Sequence, residues 1–153
     1  MVLGYFDASV ATLGARVTDV PAFWYWKDKL NSGVDIPALT AHIDLYKTFC
    51  ELAGVKIPDD IQEIDGRTLV PLLQDPEAKW EDRQLFFHQG RWKKGADPND
   101  SKFAPFAVRT TRWRFVKNNE LYDISNDPYE TTNVFDQHPE VVAQLRNAYD
   151  RWW

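Results

Sequence analysis

The sequence predicts an α+β fold, a small antiparallel sheet packed against helices. Three observations lead to it: helical apolar spacing after Thr40, short strand-like segments between Arg83 and Ile124, and an amphipathic stretch running from Pro139 to the end. With 153 residues, 44% of them hydrophobic, the chain is long enough to bury a core, and one globular domain is expected.

The elements follow in chain order. "VPAFWYW", residues 20–26, is aromatic and bounded by Pro21 and the charged "KDK", which favours a short extended segment closed by an "NSG" turn. Thr40 can cap a helix in which Ile43, Tyr46, Phe49, Cys50 and Ala53 form the apolar stripe, and Gly54 supplies the stop. "VKIPDDIQEIDGRT" reads as a loop, and "TLVPLLQ" as a brief helix with Pro71 in its first turn, where a missing N–H does little harm. "RQLFFHQG" is a strand, "DPNDSK" a polar loop, and "PFAVRTTRWRFVKN" alternates well enough to be one strand or two. "NNE" then turns the chain into "LYDI". The last helix starts at Pro139 with Glu140 behind it, and Val141, Val142, Leu145, Ala148, Tyr149 and Trp152 line one face.

Composition narrows the function. Eighteen basic against twenty-three acidic residues give a net charge of -5, and the one concentrated basic stretch, "GRWKKG", is short, so nucleic acid is not an expected partner. No membrane association is expected either: mean hydropathy is -0.50, and the longest apolar run falls far short of the roughly 20 residues of a spanning helix. The start, "MVLGYFDASVATLG", has no basic segment followed by a long apolar one, so no export signal is read there. A single cysteine excludes an internal disulfide.

Candidate chemistry is sparse. "ELYDISNDPYETTNV", residues 120–134, could begin a calcium loop at Asp123, Ser125 and Asp127, but Pro128 occupies the position that needs glycine, and Val134 the position of the bidentate glutamate. Turn chemistry fits instead, with a strand ending at Ile124 and "SNDP" breaking it. His42 and Asp44 point about 160° apart on a helix, so they make no relay to Cys50, which reads as a buried inert thiol. His138 is a capping or surface residue, and the histidine spacing suggests no metal pair. "FFHQGRWKKG" leaves two readings open. Cations beside a flat ring suit an anionic sugar, and the same residues suit a solvated strand end with Arg91 lying over Trp92.

In order, "LTAHIDLYKTFCELAGV", "IDGRTLVPLL", "RQLFFHQGRW", "AVRTTRWRFV", "ELYDISNDPYETTNV" and "HPEVVAQLRNAYDRWW" resemble the C-terminal region of a sulfatase of the arylsulfatase family. The likeness covers residues 20–153, while residues 1–19 match poorly and read as an N-terminal extension. That contrast leads us to expect an altered start, either a truncation or a frameshifted reading of a longer gene.

The resemblance implies a subdomain with a four-stranded antiparallel sheet and a packed helix, which in the family follows a large domain that binds calcium and carries the formylglycine nucleophile. No Cys-or-Ser, x, Pro, x, Arg motif occurs here, the calcium aspartates have no counterparts, and "ATLGARVTDV" stands where the family has a catalytic lysine. So no catalytic residue, metal ligand or cofactor is assigned to this chain, and calcium is expected only in a complete family enzyme. His88, Gly90, Arg91 and Trp92 match a "His-x-Gly-Arg-Trp" pattern that borders the family's substrate pocket. The resemblance therefore implies substrate contacts by His88, Arg91 and Trp92. The resemblance implies the missing catalytic domain as partner, with the chain inactive alone; the alternative expectation is a stand-alone module that binds a sulfated carbohydrate or a protein, including a second copy of the chain. Family members are often exported.

Overall fold

The computed structural model describes residues 2–7, 19–61, 63–90 and 92–153. They form two compact units, one of residues 19–81 with the first strand and one of residues 82–153, so two cores replace the single one that composition suggested.

The first unit contains a three-stranded sheet of β1 (Val2–Asp7), β2 (Asp19–Trp24) and β3 (Val34–Thr40) in the order β2-β1-β3. Strand β1 runs antiparallel to β2 and parallel to β3. The extended segment expected at 20–26 is β2; β1 and β3 were not read from the sequence. Pro37 obscures β3, because proline cannot donate to a ladder, and β3 accordingly lies at the sheet edge. Ile36 of β3 packs with Leu69, Leu72 and Leu73, the last two from α2 (Val70–Gln74), whose Pro71 falls in the first turn as expected.

Helix α1 (Leu45–Leu52) corrects the expected stripe. Tyr46 is 46% exposed and Phe49 54%, Cys50 is half-buried, and the buried positions are Asp44 and Thr48. Polar groups can occupy that face because each is satisfied there. The Asp44 carboxylate accepts from the backbone N–H of Ala41 at 2.7 Å and of Arg67 at 2.8 Å. The Thr48 hydroxyl donates to the Asp44 carbonyl at 2.7 Å and accepts from Leu69 N–H at 2.9 Å. Thr40 is not the cap; it ends β3, and Asp44 satisfies the entering chain from inside the turn His42–Asp44. The stop is as expected: Gly54 adopts φ +65°, with Gly54 N–H bonded to Glu51 O and Val55 N–H to Cys50 O.

The second unit is the α+β arrangement expected: a four-stranded sheet in the order β4-β5-β6-β7, each neighbour antiparallel, with a helix on it. "PFAVRTTRWRFVKN" makes two strands, β5 (Phe106–Arg109) and β6 (Trp113–Val116), flanked by β4 (Leu85–His88) and β7 (Glu120–Asp123). Lys117 and Asn118, at φ 52° and 63°, turn the chain from β6 into β7. Phe106, Val108, Phe115 and Leu121 of the sheet meet Val142, Leu145 and Tyr149 of α3 (Pro139–Trp152). The predicted stripe of α3 is buried at Val142, Leu145, Ala148 and Tyr149, while Trp152 is 43% exposed.

Tyr149 stacks on Phe106 with centroids 4.3 Å apart, and its hydroxyl donates to the Lys102 carbonyl at 2.6 Å. Burial pushes its phenol up to about 12, with the Asp150 charge adding to the shift, and burial with the Glu120 contact pushes Tyr122 to about 12 as well. A raised folded-state value means that the native state holds a proton the unfolded chain has released. The stability these phenols contribute is full below their ordinary value of 10.0 and is lost as pH rises through about 12. Urea unfolding at increasing pH is expected to show stability falling across that interval, less steeply in the variant Tyr149→Phe.

Candidate functional site

The stretch 120–134 is held by its own side chains. Asn126 and Asp127 N–H both bond to Asp123 O, the Asp127 carboxylate accepts from Thr131 Oγ1 at 3.0 Å and Thr132 N at 2.8 Å, and Asn133 Oδ1 accepts from Leu121 N and Phe135 N. Asp123 Oδ2 accepts from Arg112 Nη2 at 2.8 Å and from Asn126 Nδ2 at 2.9 Å. The Arg112 guanidinium, joined by Asn126, holds the Asp123 carboxyl below the usual carboxylate range. The turn reading holds.

The resemblance to sulfatases implies calcium, and the described residues do not fit that ion. Among them no three His, Cys, Asp or Glu side chains gather into a cation site. Asp123 and Asp127, which a calcium loop would use first, face Arg112, asparagine and threonine donors instead.

The candidate recognition site lies at the end of β4. His88 is the last residue of that strand, where the alternation of buried Leu85 and Phe87 with half-buried Phe86 and His88 gives way to a loop. Its Nδ1 accepts from Gly90 N–H at 2.8 Å, and its Nε2 lies 2.8 Å from the Ser101 carbonyl. Gly90 adopts φ +61°, a left-handed conformation that glycine takes without steric cost. The imidazole packs against Trp153 at 4.7 Å and tilts toward Trp92 at 6.5 Å, centroid to centroid. Trp92 is 44% exposed, and Lys93 and Lys94 beside it are exposed. His88 and Trp92 are thus brought together; Arg91 lies outside the described residues.

Sequence reasoning read Trp152 only as part of the apolar face of the last helix and did not foresee Trp153 beside His88. Trp152 stacks on Phe86 at 5.2 Å and 13°, and the Trp153 indole donates to Asn99 Oδ1 at 3.0 Å. The signal was the adjacent tryptophan pair ending the last helix, which cannot all face one core. An exposed ring with neighbouring ammonium groups can stack on a sugar and pair with its anionic substituents.

His42 is exposed while Asp44 is fully buried, so they form no relay. His138 precedes α3, 3.4 Å from Glu140 and against the Trp113 ring at 4.9 Å.

Known proteins share this architecture. The profile of the family described as "N-sulphoglucosamine sulphohydrolase, C-terminal" matches residues 3–151. The chain is similar to Arylsulfatase K of Xenopus laevis, 30% identical over 124 residues that cover 76% of this chain and 23% of that protein. It is 28% identical over 128 residues to a sulfatase of Formosa agariphila, covering 72% of this chain and 22% of the relative. The chain thus spans under a quarter of the length of these relatives. Two solved structures share the fold. Ps i-CgsB superposes with a TM-score of 0.67 at 23% identity, over 86% of this chain and 28% of that one. BT4656, solved with its substrate D-glucosamine-2-N,6-O-disulfate, gives 0.62 at 22% identity, over 86% and 27%. The chain belongs to the N-sulphoglucosamine sulphohydrolase C-terminal family: it is the C-terminal region of a sulfatase.

Proposed function

We propose that this chain serves as the supporting and substrate-recognising lobe of a sulfatase, acting in sulfate ester hydrolysis without supplying the reactive centre and inactive when alone. The observation that carries the reading is the clustering of His88, Trp92, Lys93 and Lys94 at one end of the four-stranded sheet. Hydrolysis needs an activated nucleophile and a means of stabilising the charged oxygens. Cys50, the one thiol, is followed by Glu-Leu-Ala-Gly rather than by the family's nucleophile pattern. The ligand class is a sulfated carbohydrate, bound through the Trp92 ring and through Arg91, Lys93 and Lys94, with His88 in the same site. Retention on a heparin column tests this. Arg91→Ala combined with Lys93→Ala is expected to elute at clearly lower salt than the parent chain, because each removes a charge that pairs with sulfate. Unchanged elution removes the reading.

A second reading concerns the first unit, where Tyr25 is 79% exposed, Trp26 45% and Phe49 54%, and the three line one concavity with Trp24 and Leu30. Contiguous aromatic exposure of this kind marks an association surface. The catalytic domain of a sulfatase is the proposed occupant, with self-association of the chain in its absence. Light scattering of the purified chain is expected to give a mass above the monomer, and a strict monomer at high concentration rules self-association out.

A further inference from the structure

The two hydrogen bonds of His88 fix its tautomer. A carbonyl oxygen only accepts, so the 2.8 Å contact with Ser101 O requires a proton on Nε2; an amide N–H only donates, so the 2.8 Å contact from Gly90 requires a bare lone pair on Nδ1. Only the neutral Nε2–H imidazole satisfies both. With both nitrogens committed to main chain, neither is left to pair with a sulfate.

We propose that His88 is the positioning residue of the basic, aromatic loop after β4: its imidazole ties Gly90 to the Ser101 turn and sets where Trp92, Lys93 and Lys94 are presented. The inference rests on the recognition reading above and changes the part His88 plays in it.

The geometry supports the role at three points. The Nδ1 bond to the N–H two residues ahead reproduces the local turn that Asn and Asp side chains make, and it sits where Gly90 takes its left-handed conformation. The Nε2 bond reaches across 13 residues to the turn Pro98–Ser101, so it anchors the loop to a separate element. Trp153 backs the ring at 4.7 Å and is itself held by Asn99 of that same turn. One local and two sequence-distant contacts therefore hold the imidazole from three sides.

The test compares the full chain with His88→Asn and His88→Ala. Asparagine can still accept from Gly90 N–H and cannot reach Ser101; alanine does neither. Gly90 amide exchange is expected to accelerate roughly fivefold in His88→Ala, the factor that losing one net hydrogen bond gives, and to be largely rescued in His88→Asn. Heparin retention should fall in the order parent, His88→Asn, His88→Ala. In the parent, nitrogen-15 NMR at mildly alkaline pH should show His88 as the Nε2–H tautomer; this measurement needs no variant and stands even if His88→Ala fails to fold. A Nδ1–H or averaged tautomer, or Gly90 exchange unchanged in His88→Ala, overturns the proposal. A parent chain with the expected tautomer and Gly90 protection but no heparin retention removes the glycan reading and leaves the positioning role standing.

Discussion

Gly66→Ala is expected to destabilise the first unit by on the order of 3 kcal/mol, the upper end for forcing atoms into a packed interior. A Cβ at Gly66 would lie 2.0 Å from Ile43 O, 2.6 Å from Ile43 C and 3.1 Å from Asp44 Cα, all backbone atoms that cannot rotate away. The approach is close because Arg67 N–H, the next residue, bonds to the buried Asp44 carboxylate at 2.8 Å. Moving one strand of chain off the other breaks that bond and strands a buried carboxylate with one fewer donor, which compounds the steric cost. Gly54→Ala is the control. Its Cβ would meet nothing within 4 Å, so the substitution is charged only for the left-handed φ of +65°, about 1 kcal/mol. Urea unfolding followed by aromatic fluorescence separates the two, and equal midpoints would refute the close approach.

Glu130→Ala is expected to destabilise the second unit by about 3–5 kcal/mol, the range for removing one partner of a buried ion pair. Arg114 Nη1 lies 2.5 Å from Glu130 Oε2, and the two side chains are only 8% and 9% exposed. Without the carboxylate, the guanidinium stays buried among strands with its charge uncompensated. Glu130 also adopts φ +53°, which costs a residue with a Cβ of order 1 kcal/mol. Glu130→Gly therefore recovers about 1 kcal/mol of the loss by relieving the backbone. Thermal unfolding of both variants measures the difference, and a Glu130→Ala protein as stable as the parent would show that the pair contributes nothing.

Helix α3 was legible because everything that defines it is local: a proline that starts it, an acid behind that, and a stripe whose burial needs only the sheet beneath. The strands β4 to β7 were legible from alternation and turn residues for the same reason. Helix α1 was misread on burial. Its periodicity marks an apolar face, but what covers a face is set elsewhere, and here Thr48 finds Leu69 N–H 21 residues on and Asp44 finds Arg67 N–H 23 residues on. Strand β3 was hidden by Pro37, which argues against a strand wherever the sheet edge cannot be foreseen. At the candidate site the sequence pointed to His88 and Trp92 through their neighbours. It could not supply Ser101, Asn99 or Trp153, which reach the imidazole only through tertiary packing.

Hydrolysis of an aryl sulfate by the purified chain, with and without added calcium, tests the central claim most directly. Release of the phenol at the rate of the buffer blank is predicted under both conditions, because in the proposed function this chain recognises a substrate and supplies no nucleophile. Turnover above the blank that is lost when Cys50 or one of the three histidines is replaced would contradict it.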